Sequence, residues 1–160
     1  MIDFYEIDSS YLDYLRQYDS RVPATGYNKH EKFFCGIVLT VCDDVLYYAP
    51  VSHFKQIQRT NFPIYDKDDV TILSTVRLCF MIPVMPSVIT RINLHELYAA
   101  DPAYAILVDK EYSYCSKHEE QLNKRAQAVY KIGCNKKHRF NDLCCDFKKL
   151  EGVYRNYHAA

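Results

Sequence analysis

The feature of this sequence that most constrains its fold is a series of short strand-like segments in the middle of the chain. The segments "FFCGIVLTV", "VLYYAPV", "NFPIYD", "DVTILST", "VRLCFMIPV" and "SVITRI" are β-branched or aromatic runs separated by Asp or Pro. The turn-like pair Asp43 and Asp44 lies between the first two segments, so we expect these two to form an antiparallel pair. The middle of the chain is therefore predicted to be a sheet.

Helical patterns lie on both sides of these segments. A short strand, "IDFYEI", precedes a helix predicted at about Ser10 to Asp19. A stretch capped by Asp101 and ending at Gly133 predicts one long helix, which could be bent. The last segment, "FNDLCCDFKKLEGVYRNY", predicts a helix capped by Asn141 with Leu143 on its apolar stripe.

Together these elements predict an α+β fold. We expect a compact, highly twisted, mainly antiparallel, barrel-like sheet with helices packed around it, including the long helix of the C-terminal half. A chain of 160 residues with 49% hydrophobic content can bury one core, so we expect a single domain over residues 1–160. The N-terminus lacks the pattern of a signal peptide, and no stretch approaches the ~20 apolar residues of a membrane span. We therefore expect a cytoplasmic protein without membrane contact.

The charges are balanced overall but unevenly distributed. Lys plus Arg and Asp plus Glu each number 20, so composition alone does not indicate a polyanionic partner. Between Gln121 and Asn141, however, there are six cations and no carboxylate. The six are Lys124, Arg125, Lys131, Lys136, Lys137 and Arg139. Because aromatic residues are interleaved with them, this stretch fits phosphate contact with base stacking, or else a solvated helix end.

Seven cysteines without an export signal are best explained as reduced thiols that pack in the core. Cys134, His138, Cys144 and Cys145 form the one cluster that suggests zinc. Its spacing is poor for a structural site, because adjacent cysteines on a helix point about 100° apart. We therefore expect no metal and no cofactor.

A group of polar residues follows the apolar run "YYAPV". Ser52, His53 and Lys55 offer a hydroxyl, a titratable ring and a cation, and Lys32 begins the strand predicted to pair with theirs. Phosphodiester cleavage without a metal needs a group that takes the 2′-hydroxyl proton, a cation for the phosphorane charge and a donor for the leaving oxygen. These four residues could supply all three functions.

The same residues carry a resemblance to a known family. The runs "FYEIDSSYLDYLRQYDSRVP", "KFFCGIVL", "YYAPVSHFK" and "LCFMIPV" and the late helical stretch resemble the ToxN/AbiQ endoribonuclease toxins of type III toxin-antitoxin systems, over essentially the whole chain. The resemblance implies a metal-independent toxin that cleaves cellular or phage RNA to 2′,3′-cyclic phosphate and 5′-hydroxyl ends and acts in phage abortive infection. It also implies that a repetitive pseudoknot antitoxin RNA, which the toxin processes, holds it inactive in a closed toxin-RNA assembly.

Matched position by position, the resemblance implies that Lys55, Ser52, His53 and Lys32 are catalytic. His53 stands where the family has serine, so it could transfer protons or could occupy a site where the hydroxyl is dispensable. The implied and candidate RNA-binding residues are Tyr11, Tyr27, Asn28, Lys29, Lys124, Lys131, Lys136, Lys137 and Arg139. The family's loop tyrosine falls on either Tyr27 or Asn28, and Tyr11 could instead be the buried face of the first helix.

Two other interpretations remain open from the sequence. One is a noncatalytic RNA-binding module in which Ser52, His53 and Lys55 only cradle a phosphate. The other is a zinc-stabilised interaction protein that uses Cys134 and the adjacent pair Cys144 and Cys145. Cleavage that persists in EDTA would exclude both.

Overall fold

The computed structural model describes residues 2–24, 36–42 and 44–159. In these ranges the strands are β1 (Phe4–Ile7), β2 (Gly36–Cys42), β3 (Val45–Ser52), β4 (Phe62–Tyr65), β5 (Ile72–Val76), β6 (Ile82–Val84) and β7 (Ile89–Arg91). The helices are α1 (Ser9–Arg16), α2 (Leu94–Ala100), α3 (Pro102–Lys117), α4 (Glu119–Cys134) and α5 (Phe147–Val153). Short 3-10 turns span Leu78–Phe80, Pro86–Val88, Asn141–Leu143 and Tyr154–Asn156.

The strand β3 is the centre of the sheet. It pairs with β2 along one side, and on its other side it pairs first with β6 and then, at its C-terminal end, with β5. The strand order is β4-β5-β3-β2-β1-β7, with β6 beside β3, and every pairing is antiparallel. The prediction of an antiparallel sheet in an α+β fold is confirmed, as is the predicted pairing of β2 with β3.

The prediction of a barrel-like sheet is wrong. Closing a barrel requires each strand to have two neighbours, but β4 and β7 end the strand order and do not pair with each other among the described residues. These end strands have only four and three residues, and the sheet divides where β6 and β5 share one side of β3. The result is an open, branched antiparallel sheet.

The single long helix predicted after Asp101 is two helices of 16 residues each, α3 and α4. They meet at His118, whose backbone angles of φ −111° and ψ 28° leave the helical region. The ring of His118 stacks on Tyr114 with centroids 4.0 Å apart, and its Nδ1 lies 2.9 Å from the Tyr114 carbonyl oxygen. No glycine or proline lies at this break, so the sequence pattern does not predict that the helix ends here.

The predicted last helix is also shorter than expected. The helix α5 begins after Asp146, whose side chain accepts a hydrogen bond from Lys149 N, so Asp146 is the cap rather than Asn141. Asn141 instead donates through Nδ2 to the carbonyl oxygens of Ile132 and Gly133 at the end of α4, both at 3.0 Å. The predicted core residue Leu143 is 48% exposed.

The helices cover the sheet and bury one apolar core. Its largest fully buried side chains include Tyr11, Tyr47, Tyr48, Phe147, Leu12, Leu15 and Ile37. Near its edge the carboxylate of Glu151 accepts hydrogen bonds from Tyr47 and from Tyr130, the latter at 2.7 Å. In the described ranges, none of the helices combines the length and apolarity that a membrane crossing requires.

The pairing of β2 with β3 places the beginning of β2 beside the end of β3. Gly36, the first residue of β2, lies opposite Pro50, close to the end of β3 at Ser52. The two strands approach so closely that a Cβ on Gly36 would lie 2.2 Å from the Ala49 carbonyl oxygen. The end of β3 therefore lies beside the beginning of β2, as the sequence predicted.

Candidate active site and basic surface

The candidate active site begins where β3 ends. Ser52 is the last residue of the strand and pairs with Thr75 of β5. Its Oγ accepts a hydrogen bond of 3.2 Å from the Phe54 amide, and Thr75 Oγ1 donates one of 2.8 Å to the Phe54 carbonyl oxygen. Because both the amide and the carbonyl group of Phe54 are hydrogen-bonded, the backbone of the turn that carries His53 and Lys55 is fixed.

His53 and Lys55 project from this turn into solvent. Both residues are exposed, whereas Ser52 and Phe54 are half-buried. Among the residues that the structure describes, neither the ring of His53 nor the ammonium of Lys55 has a hydrogen bond or an ion pair. A fixed turn thus presents a hydroxyl, an imidazole and an exposed cation within four consecutive residues.

The loop after Lys55 is anchored by a buried amide. Asn61 accepts a hydrogen bond of 3.0 Å from the Gln58 amide and donates one of 2.9 Å to the Gln56 carbonyl oxygen. Arg125 of α4 donates to the Asn61 carbonyl oxygen at 2.8 Å. Arg125, one of the six cations noted in the sequence, therefore ties the candidate site to α4.

Four of the predicted site residues cannot be placed. Lys32, Tyr27, Asn28 and Lys29 lie outside the described residues. Their predicted roles in catalysis and RNA binding remain predictions that rest on the sequence.

Tyr11 is in the core, so its predicted role as an RNA contact is not supported by its position. Its side chain is fully buried and its hydroxyl donates to the Pro83 carbonyl oxygen. Its ring packs edge-on against Tyr157 with centroids 5.2 Å apart, and burial raises the pKa of the phenol. The apolar stripe of α1 accounts for this residue, which is the alternative that the sequence left open.

The predicted basic surface comprises Lys124, Lys131, Lys136, Lys137 and Arg139, all of which are exposed. Lys124 forms an ion pair of 2.9 Å with Glu120 one helical turn earlier, so part of its charge is compensated. The guanidinium of Arg139 lies 4.6 Å from the centre of the Phe140 ring. The turn after α4 is ordered by Asn135, whose Oδ1 accepts from the Lys137 amide at 3.1 Å.

The thiols of the zinc hypothesis are packing groups. Cys144 and Cys145 are each 1% exposed, and the Cys145 amide donates to the Cys79 carbonyl oxygen at 2.8 Å. Burial raises the pKa of the Cys144 thiol to about 12, so this thiol is protonated at neutral pH. Within the described ranges no three His, Cys, Asp or Glu side chains come together as a metal site would require.

One neighbour of the site was missed by the sequence analysis. The guanidinium of Arg77 lies over the Phe54 ring, with Cζ 4.1 Å from the ring centre. Arg77 follows β5, 22 positions after Lys55 in the chain. Nothing in the local sequence marks it, because its proximity depends on the pairing of β3 with β5.

These features define a small α+β protein with a polar, cationic site at the end of the central strand and a basic surface on and after α4. The chain belongs to the ToxN family: the family model described as "Toxin ToxN, type III toxin-antitoxin system" matches residues 3–155.

Two similar proteins are endoribonucleases called ToxN. The protein of Bacillus thuringiensis subsp. kurstaki is 28% identical over 96% of this chain and 83% of its own length. The protein of Pectobacterium atrosepticum is 23% identical over 96% of this chain and 92% of its own length.

Solved structures share the fold over nearly the whole chain. One, from a type III system in which a non-coding RNA pseudoknot selectively inhibits the toxin, has a TM-score of 0.87 at 26% identity and covers 98% of this chain and 97% of its own. AbiQ, a lactococcal anti-phage endoribonuclease of a type III system, has a TM-score of 0.81 at 20% identity, with 98% of each chain covered. At that lower identity the likeness shows the fold alone.

Proposed function

We propose that this chain is a metal-independent endoribonuclease toxin that acts as a single domain, residues 1–160, in the cytoplasm. It cleaves RNA by attack of the 2′-hydroxyl on the adjacent phosphate and produces 2′,3′-cyclic phosphate and 5′-hydroxyl ends. The proposal is supported by membership of the ToxN family and by two similar proteins named as endoribonucleases.

The observation that carries the proposal is the turn at the end of β3. Its backbone is fixed by Ser52 and Thr75, while the side chains of His53 and Lys55 are exposed and unpaired in the described part of the chain. A fixed backbone with free functional groups suits catalysis, because the segment that carries these groups is in place before the substrate binds and the groups themselves can contact it.

Each group has a role that its chemistry allows. Lys55 stabilises the negative charge that develops on the phosphorane. His53 takes the proton of the attacking 2′-hydroxyl, and Ser52 donates to a phosphate oxygen while its own lone pair orders the Phe54 amide. Lys32, which precedes β2 in the chain, donates a proton to the leaving 5′-oxygen, which becomes the 5′-hydroxyl.

We further propose that a repetitive pseudoknot RNA both inhibits this toxin and is processed by it, in a closed toxin-RNA assembly. A similar solved structure comes from a system in which an RNA pseudoknot inhibits the toxin selectively. The exposed cations Lys131, Lys136, Lys137 and Arg139 offer the phosphate contacts that such an RNA needs.

The experiment that tests the reaction is incubation of the purified protein with RNA in excess EDTA. We expect fragments whose 5′ ends accept a kinase label without prior phosphatase treatment, and whose 3′ ends are cyclic phosphates. Intact RNA with measurable binding would instead favour the noncatalytic RNA-binding module. Fragments that disappear in EDTA would contradict the metal-independent mechanism.

Lys55→Ala distinguishes the toxin from a contaminating nuclease. We expect this variant to lose cleavage while keeping its fold, because an exposed cation contributes little to stability. Lys67→Ala, the same change at another exposed lysine, should cleave like the parent. Equal cleavage by the parent and by both variants would remove Lys55 from the mechanism.

A further inference from the structure

Arg77 lies diagonally across the β3-β5 ladder from Ser52. Val51 pairs with Val76 and Ser52 with Thr75, and the Arg77 amide donates to the Pro50 carbonyl oxygen at 2.8 Å. Side chains two residues apart leave a strand on the same face, so Arg77 continues the face that carries Thr75 and Ser52.

Two aromatic rings fix the guanidinium in this place. Its Cζ lies 4.1 Å from the centre of the Phe54 ring and 4.8 Å from that of Phe80. Because Phe54 separates His53 from Lys55, the planar cation is held against the segment that carries the candidate catalytic groups.

None of the described residues forms an ion pair with Arg77. No carboxylate of the described residues lies within ion-pair distance, and the buried Nε has no hydrogen-bond partner there. The polar neighbour Cys79 is a buried thiol. Burial raises its pKa more than the charge of Arg77 and the side-chain hydrogen bond between the two residues lower it, so Cys79 stays uncharged. A partly buried guanidinium without a counter-ion is unfavourable, and a bound anion would remove that cost.

The packing requirement alone does not explain an arginine. An apolar side chain of the same length would fill the space between the rings of Phe54 and Phe80 without leaving a donor unsatisfied. A guanidinium, in contrast, offers a planar fork that matches two oxygens of a phosphate.

We propose that Arg77 binds a phosphate of the RNA strand that lies across Ser52, His53 and Lys55. This inference rests on the proposed function and adds to it a residue that binds the RNA backbone on the β5 side of the site. In this arrangement the rings of Phe54 and Phe80 hold the guanidinium beside the turn before RNA binds.

The test measures binding of a random-sequence 2′-O-methyl RNA pool, which cannot undergo 2′-hydroxyl attack, as a function of salt. Arg77→Met keeps the length of the side chain and removes the charge, so the slope of log Kd against log salt should fall by about 0.7 to 1. Arg91→Met is the matched control on β7, where the arginine is exposed and pairs with Asp3 at 3.2 Å. Its slope should equal that of the parent.

Arg77→Lys keeps the charge without the fork, so it should keep the parent's slope and bind several-fold more weakly. It also serves as the test if Arg77→Met does not fold, which thermal unfolding would reveal, because parent-like affinity in Arg77→Lys would overturn the proposal. If Arg77→Met folds and its slope is unchanged, Arg77 has only a packing role, and the proposal is overturned even if cleavage is slower. A parent that does not bind the pool would instead contradict the proposed function itself.

Discussion

Ser74 Oγ donates a hydrogen bond of 2.8 Å to Oε2 of Glu111, and this bond joins β5 to α3 in the interior. The two residues are 1% and 3% exposed. Burial raises the pKa of Glu111 from 4.5 to about 7, although the bond from Ser74 lowers it somewhat. The folded chain therefore keeps a proton on Glu111 that the unfolded chain loses near pH 4.5.

This difference predicts a pH-dependent stability. Between about pH 4.5 and pH 7 the folded state binds more protons than the unfolded state. The free energy of unfolding should therefore fall as the pH rises through this range, by an amount on the order of 3 kcal/mol. Glu111→Gln keeps an acceptor for Ser74 without the titration, so this fall should be absent. Urea denaturation of both proteins from pH 4 to pH 8 measures it.

A matched control for Glu111 is Glu96→Gln, because Glu96 is exposed on α2. That variant should follow the pH dependence of the parent. Parallel stability curves for the parent and Glu111→Gln would show that Glu111 does not titrate differently in the folded state.

The sequence predicted those parts of the fold that depend on local pattern. The pairing of β2 with β3 followed from two apolar runs around a short turn, which is a local signal. The break at His118 was not predictable, because it depends on stacking against Tyr114 rather than on a glycine or proline. The helix α2 was missed although Asn93 caps it and Glu96 follows at the capping-box spacing, a signal that could have identified it.

The residues of the candidate site also fall into those visible in the local sequence and those brought near by the pairing of distant strands. Ser52, His53 and Lys55 are neighbours in the chain, so their composition at a strand end was visible in the sequence. Arg77 and Thr75 reach the same turn only through the pairing of β3 with β5, which no local pattern encodes. Tyr11 could not be separated from the other tyrosines, because its burial is a property of the packed core.

The end of α4 offers a test of core packing. A Cβ on Gly133 would lie 2.2 Å from the Phe147 ring, and that ring is fully buried and stacked on Tyr130 with centroids 5.6 Å apart. Because the ring has little room to move, Gly133→Ala should lower the free energy of unfolding by about 1–3 kcal/mol. Chemical denaturation at neutral pH measures the change.

Gly152 provides the opposite case within the same protein. It lies in α5 and a Cβ there would meet nothing within 4 Å, so Gly152→Ala should raise stability by up to ~1 kcal/mol through helix propensity. Equal effects of the two substitutions would show that Phe147 yields to the added methyl group.

The basic surface makes a prediction about salt. If Lys136 and Lys137 contact phosphates, their double replacement by alanine should lower the slope of log Kd against log salt by about 0.7–1 for each lost contact. The binding assay uses the same 2′-O-methyl RNA pool. Lys148 and Lys149 on α5 are an adjacent pair that is also exposed, so their double replacement by alanine is the matched control. Its slope should fall less than that of the Lys136 and Lys137 variant. An unchanged slope in the first variant would identify a solvated surface.

His53 is the candidate site residue for which the sequence left two roles open, and the pH dependence of cleavage can decide between them. If the imidazole accepts the 2′-hydroxyl proton, the cleavage rate should show an acidic limb, because only the neutral ring is a base. His53→Gln keeps a polar side chain of similar reach and cannot titrate, so the rate should drop by about 10²- to 10⁴-fold and the acidic limb should disappear. His53 is exposed, so the fold should be unaffected.

His53→Ser separates proton transfer from simple hydrogen bonding at the same position. A hydroxyl can donate to the phosphate but is a poor base at neutral pH, so a proton-transfer role predicts that the serine variant is nearly as slow as the glutamine variant. Recovery of the parent rate in His53→Ser would mean that a donor at this position is sufficient. If both variants cleave with the parent's rate and pH profile, His53 takes no part, and the chemistry must be carried by Ser52, Lys55 and Lys32.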